Sequence, residues 1–178
     1  MTRHCLVLGG ARSGKTAFAE RLALHTGSRP AYLATASILD SEMRDRVTSH
    51  QASRGAQFAT IEEPMALSRA IRKAGAKHDI ILVDCLTLWM TNLLMANEDV
   101  ATAVGDLCAT LLEFRQARVI IVSNEVGLGI VPDNAMARTF RDLAGSAHQR
   151  LAGVCDDVYF VAAGLPLTMK GETPLPFS

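Results

Sequence analysis

The stretch Gly9-Gly10-Ala11-Arg12-Ser13-Gly14-Lys15-Thr16 constrains this chain more than any other. It satisfies G-x-x-x-x-G-K-[ST], the spacing of a loop that joins a buried strand to a helix and closes around phosphate. The flanks agree. Cys5-Leu6-Val7-Leu8 is a short apolar run suited to a buried strand. Ala17 to His25 is helix-forming, with Phe18 and Leu22 one turn apart. Glycines let successive backbone N–H groups converge on an anion, and the helix N-terminus adds partial positive charge. Lys15 is placed to reach the outer phosphates, and the Thr16 hydroxyl to ligate Mg²⁺. A chance glycine-rich turn would not come with a strand before it and a helix after it. The chain therefore reads as a binder of a nucleoside triphosphate.

Composition narrows the class. The 178 residues suit one domain spanning 1–178 with a substantial core, and 49% are apolar, which argues for a globular chain. Acids and bases balance at 18 each, with no strongly basic stretch. Phosphate neutralisation along a nucleic acid needs clustered Lys and Arg, so nucleic acid is not the expected partner. The first strand starts within a few residues of Met1, which leaves no room for a signal peptide. No apolar run reaches membrane-spanning length. Cys5, Cys85, Cys108 and Cys155 are scattered, as expected of reduced, mostly buried thiols in a cytoplasmic protein.

Along the chain, Ala31 to Thr35 reads as a second strand, and Asp40 to about Ser53 as a helix ending before Gly55. Gln57 to Ile61 is a short, weakly marked strand. Pro64 suits a first helical turn, with Leu67, Ala70, Ile71 and Ala74 as the apolar face up to Gly75. Ile80 to Asp84 is an apolar strand ending in a carboxylate. Helices are expected over Leu86 to Met95 and Val100 to Phe114, and Val119 to Val122 is the next buried strand. Asp133 is expected to cap a long helix bearing Phe140, Leu143, Ala147 and Leu151, and Val158 to Val161 to close the series as the last strand. Strands that alternate with helices and are buried on both faces predict an α/β fold: a mainly parallel sheet with helices on each side.

Asp84, ending an apolar strand, is the expected partner of Thr16 at Mg²⁺. It is followed by Cys85 rather than the Glu that motor-type ATPases use to activate water, and no N-K-x-D guanine motif occurs. Both absences favour phosphoryl or nucleotidyl transfer to an acceptor. Helical spacing puts Met43, Arg46, Val47, His50 and Arg54 on one side of the 40–53 helix. Two guanidiniums one turn either side of His50 disfavour its protonation, leaving a neutral, nucleophilic imidazole near pH 7. A solvated basic face accounts for the same pattern, and the residues alone leave both open. His4, His25, His78 and His148 read as ordinary surface or cap residues. Asn124 and Glu125 leave the C-terminal end of a buried strand, where open α/β sheets bind ligands, and a structural connection is the alternative.

Taken together, the phosphate loop, Tyr32-Leu33-Ala34-Thr35, the His50 helix ending in Arg54, Thr91-Asn92-Leu93-Leu94 and Asn124-Glu125-Val126-Gly127-Leu128-Gly129-Ile130-Val131-Pro132 resemble one family. It is the bifunctional adenosylcobinamide kinase / adenosylcobinamide-phosphate guanylyltransferase of cobalamin biosynthesis. The likeness extends through Arg138, Arg141-Asp142, Ala144-Gly145 and Gln149-Arg150-Leu151. The resemblance implies a RecA-like P-loop NTPase fold and a homo-oligomer, a homotrimer. It also implies phosphorylation of adenosylcobinamide by ATP or GTP, then GMP transfer from GTP to adenosylcobinamide-phosphate through a guanylyl-histidine. The matching histidine is His50. Nucleotide contacts are implied at Gly9, Gly10, Ala11, Arg12, Ser13, Gly14, Lys15 and Thr16, at Leu33, Ala34 and Thr35, at Gln51, Ala52, Ser53 and Arg54, and at Glu62 and Asp84, with Glu63 adjacent to Glu62. Two rivals are a plain small-molecule kinase without a covalent intermediate and a non-enzymatic nucleotide-dependent regulator.

Overall fold

Strands rich in Val, Ile and Leu, apolar at every position, can only be satisfied where both faces are covered. In the computed structural model, which describes residues 3–36 and 57–174, five largely buried strands form the centre of one seven-stranded sheet. The strands are β1 (Cys5–Gly9), β2 (Pro30–Ala34), β3 (Ala59–Glu62), β4 (Ile80–Asp84), β5 (Arg118–Asn124), β6 (Asp157–Ala162) and β7 (Leu165–Lys170). Their order is β3-β2-β4-β5-β1-β6-β7, parallel throughout except for the β6–β7 pair. The described helices are α1 (Lys15–Thr26), α2 (Leu67–Ala74), α3 (Leu86–Met95), α4 (Val100–Glu113) and α5 (Ala135–Val154).

The pleat divides the core in two. Leu6, Leu8, Ile81, Val83, Val119 and Ile121 face α2 to α5, where Trp89, Met90, Leu107, Leu111 and Leu151 pack on them. Cys5, Val7, Ile80, Leu82, Ile120 and Val122 face the other way, toward Phe18, Leu22 and Ala23 of α1. All four cysteines are buried free thiols, as expected. Burial pushes Cys85 up to about 11 and Cys155 up to about 12, so both stay protonated and inert. Among the described residues no helix is long and apolar enough to cross a membrane.

Four expectations need correction. Val158 to Val161 is not the last strand: the chain turns through Ala163 and Gly164, with φ of 52° and 78°, and returns as antiparallel β7. Two consecutive positive φ values make the two-residue hairpin turn whose twist suits its strands. Asn134 rather than Asp133 caps α5, its side chain accepting from Ala137 N–H at 3.1 Å. Helix α2 starts at Leu67, with Pro64 ahead of it. Its orphan amides are served by Glu63, whose carboxylate accepts from Ala66 N at 2.8 Å and Met65 N at 3.1 Å. Those bonds, Ala66 foremost, hold the Glu63 carboxyl below its usual range. Finally, His4 and His148 are buried, and neither is a surface or cap residue. His4 bridges Phe114 O at 3.0 Å and Val119 N at 3.2 Å, locking α4 to β5. The expected helix over 40–53 lies outside the described residues.

Candidate active site

At the C-terminal end of β1 the loop folds as its glycines demand. Arg12 takes φ 54° and Gly14 φ 91°, so Gly14 caps α1 in the left-handed region that side chains avoid. Gly9 is required for space: an added Cβ would lie 2.5 Å from both Ser13 Oγ and the Val161 carbonyl of neighbouring β6. The β6–β7 turn clasps the loop from outside, with Gly164 N–H donating to Ser13 O at 2.8 Å. Lys15 folds back so that Nζ donates to Gly10 O at 3.1 Å, which holds the ammonium at the mouth of the loop.

Asp84 meets the loop across the sheet. Thr16 Oγ1 donates to Asp84 Oδ2 at 3.5 Å, and the Tyr32 hydroxyl donates to the same oxygen in a short contact. β5 separates β1 from β4, so this pairing spans two strand spacings and depends on the side chains reaching over the sheet's end. The donor set, one hydroxyl and one carboxylate, suits Mg²⁺, which takes few protein ligands and completes its shell with substrate phosphates and water. Among the described residues no three His, Cys, Asp or Glu gather into a self-sufficient metal cluster.

Beside Asp84, Leu33 and Ala34 are buried in β2, and Thr35 is fully enclosed. The Thr35 hydroxyl donates to Cys85 O at 2.7 Å and accepts from Cys85 N at 2.8 Å, while Asn92 Nδ2 donates to Thr35 O at 2.8 Å and Pro64 O at 3.1 Å. Asn92, from the motif Thr91-Asn92-Leu93-Leu94, thus tethers the end of β2 to the start of α2. Glu62 ends β3 exposed, facing a cleft with Arg69 and Lys73 of α2. Its neighbour Glu63 is engaged in capping the start of α2. His50, Gln51, Ala52, Ser53 and Arg54 lie outside the described residues.

The end of β5 completes the floor. Glu125 N–H donates to Gly9 O at 2.9 Å, joining this segment to the root of the phosphate loop. His148, from α5, lies between Ser123 and Glu125: Nε2 is 2.8 Å from Ser123 Oγ and Nδ1 is 3.5 Å from Glu125 Oε2. Burial lowers the His148 pKa below its ordinary value against the opposing pull of Glu125. Sequence reasoning missed Tyr32 and His148 as members of the site, because their partners are set by strand pairing and helix docking rather than by spacing.

A family model described as cobinamide kinase / cobinamide phosphate guanyltransferase matches residues 5–169. The bifunctional adenosylcobalamin biosynthesis protein CobP of Pseudomonas aeruginosa is 47% identical over 169 residues, covering 94% of this chain and 97% of its own. The bifunctional adenosylcobalamin biosynthesis protein CobU of Salmonella typhimurium is 41% identical over 179 residues, covering 93% and 98%. Among solved structures, a Pyrococcus horikoshii protein superposes with a TM-score of 0.56 at 9% identity, over 96% of this chain and 87% of that one. A type III secretion ATPase of pathogenic bacteria superposes with a TM-score of 0.51 at 11% identity, over 93% and 56%. These distant likenesses carry the fold alone. With a phosphate loop, an opposed acid and close relatives matched nearly end to end, this chain belongs to the cobinamide kinase / cobinamide phosphate guanyltransferase family, bifunctional enzymes of cobalamin biosynthesis.

Proposed function

We propose that this enzyme phosphorylates adenosylcobinamide with ATP or GTP and then transfers GMP from GTP to the new phosphate, through a guanylyl group carried on His50. The observation that carries the reading is the convergence of Lys15, Thr16 and Asp84 on one loop mouth in a chain matched over residues 5–169. In the first step the acceptor hydroxyl oxygen attacks the γ-phosphorus. An O–P bond forms, the bond to the β-phosphate bridging oxygen breaks, and the hydroxyl proton goes to solvent. Loop amides and Lys15 stabilise charge that builds on the departing diphosphate, so positioning and electrostatics suffice.

In the second step a ring nitrogen of His50 attacks the α-phosphorus of GTP. A P–N bond forms and pyrophosphate leaves. The phosphate of adenosylcobinamide-phosphate then attacks the same phosphorus, the P–N bond breaks, and His50 is regenerated. Arg46 and Arg54, one helical turn either side in sequence, favour the neutral imidazole and offer paired donors to phosphate oxygens. Thr16 and Asp84 would hold Mg²⁺, which supplies charge neutralisation on the phosphates when bound. Gly9 to Thr16, Leu33 to Thr35, Gln51 to Arg54, Glu62 and Asp84 are the proposed nucleotide contacts, and the proposed assembly is a homotrimer.

Incubation with adenosylcobinamide and GTP, followed by mass spectrometry of the corrinoid, tests this. Adenosylcobinamide-phosphate followed by adenosylcobinamide-GDP is the expected sequence of products. A reaction that stops at the phosphate identifies a plain kinase, and nucleotide binding with unchanged corrinoid identifies a regulator.

A further inference from the structure

The segment between β5 and α5 is pinned at both ends yet projects apolar side chains into solvent. Val126, Leu128, Ile130 and Val131 are 38%, 80%, 97% and 58% exposed, and no charged residue occurs from 126 to 132. At its near end the Glu125 backbone N–H is bonded to Gly9 O at 2.9 Å, and the Glu125 carboxylate accepts from Gly127 N. At its far end Arg138 Nη1 donates to Pro132 O at 2.9 Å and Asp133 O at 2.6 Å.

Thr87, Ser123 and His148 gather polar groups behind the near anchor. Asn124 N–H donates to Thr87 Oγ1 at 2.8 Å, and the Thr87 and Ser123 hydroxyls share a hydrogen bond at 3.3 Å. Ser123 Oγ is hydrogen-bonded to His148 Nε2 at 2.8 Å, and His148 Nδ1 lies 3.5 Å from Glu125 Oε2. Buried polar groups are thus spent on fixing the root of an exposed, uncharged loop beside the phosphate site.

We propose that residues 126–131 form the acceptor wall of the active site, on which the apolar faces of the corrinoid macrocycle rest while its side-chain hydroxyl meets the nucleotide. This rests on the function proposed above. The position follows from Gly9: the segment springs from the residue that opens the phosphate loop, at the C-terminal sheet edge where ligands bind in open α/β folds. The chemistry follows from the surface. An uncharged face of branched aliphatic side chains suits a large macrocycle with amide edges, whereas the triphosphate takes the adjoining loop.

The test is the exposed double variant Leu128→Ser/Ile130→Ser, assayed by steady-state kinetics with adenosylcobinamide as acceptor, with light scattering for molecular mass. Loss of two aliphatic contacts is expected to raise the acceptor KM about tenfold or more, with the nucleotide KM within about twofold of wild type. The conservative Leu128→Met/Ile130→Val variant is expected to raise the acceptor KM less than the serine variant does. An unchanged acceptor KM in the serine variant overturns the inference. So does a fall in molecular mass that accompanies loss of activity, which would assign the surface to a second copy of the chain. Wild-type enzyme that leaves adenosylcobinamide unphosphorylated would instead overturn the underlying functional reading.

Discussion

Gly9 is where the sheet and the phosphate loop meet, and Gly9→Ala probes that junction. Its added Cβ would lie 2.5 Å from Ser13 Oγ and 2.5 Å from the Val161 carbonyl oxygen. The serine can rotate away. The carbonyl cannot, because Val161 is paired with Gly9 in the β1–β6 register. A carbon–oxygen contact normally closes to about 3.3 Å, so relief needs the loop root to move by about 0.8 Å. Overpacking of this kind costs about 1–3 kcal/mol. For a chain of this size each kcal/mol is worth about 2–4 °C, giving a fall in Tm of roughly 2–12 °C. Strain carried into the bound state at about 1.4 kcal/mol weakens nucleotide affinity about tenfold. Differential scanning calorimetry reads the first effect and isothermal titration with GTP the second. Gly10→Ala, whose Cβ meets nothing within 4 Å, is the control for stability. A Gly9→Ala protein as stable as Gly10→Ala would refute the packing argument.

The remaining predictions are these. Lys15→Ala is expected to lower both phosphoryl and guanylyl transfer by about a hundredfold or more, read as initial rates of each product, because the loop mouth loses its cation. Asp157 is buried between Arg3 at 2.6 Å and Arg118 at 3.1 Å. Asp157→Asn should therefore cost roughly 3 kcal/mol in a denaturant titration at pH 7. Burial would raise the Asp157 carboxyl, but hydrogen bonds from Arg3 and the Glu172 backbone, with the charges of Arg3 and Arg118, hold it below its ordinary value. A depressed folded pKa means the stabilisation is present above the unfolded pKa near 4 and is lost as pH falls through the folded one, so the gap to the variant should close on acidification. Gly153 sits exposed within α5 with open space at its Cβ, and Gly153→Ala should add about 0.5–1 kcal/mol to unfolding stability.

What could be read from the sequence followed from local chemistry. The phosphate loop was legible because its glycines and lysine are dictated by the ligand, and β1, β4 and β5 because strands covered on both faces must be apolar at every position. Asp84 was legible as a carboxylate ending such a strand, and it lies 3.5 Å from Thr16 Oγ1. β7 was missed because it is an exposed edge: Leu165, Leu167 and Met169 alternate with Pro166, Thr168 and Lys170, and every one but Pro166 is exposed. The pair Ala163-Gly164 followed by that alternation was the available signal. His148 was misread because α5 carries it on a face of mixed polarity, and its burial comes from docking against Ser123 and Glu125, residues more than twenty positions away. Tyr32 gave no hint of its bond to Asp84, which exists because β2 and β4 pair with Ala34 opposite Asp84.

The central claim is that nucleotidyl transfer passes through a covalent P–N bond to His50. Incubation with GTP labelled at the α-phosphorus, without acceptor, tests it most directly. The account predicts a protein-bound label that is acid-labile, maps to the peptide containing His50, is discharged by adenosylcobinamide-phosphate and is lost in His50→Ala, which nevertheless still phosphorylates adenosylcobinamide. GMP transfer by His50→Ala, or wild-type turnover with no label on the protein at any time, would contradict it.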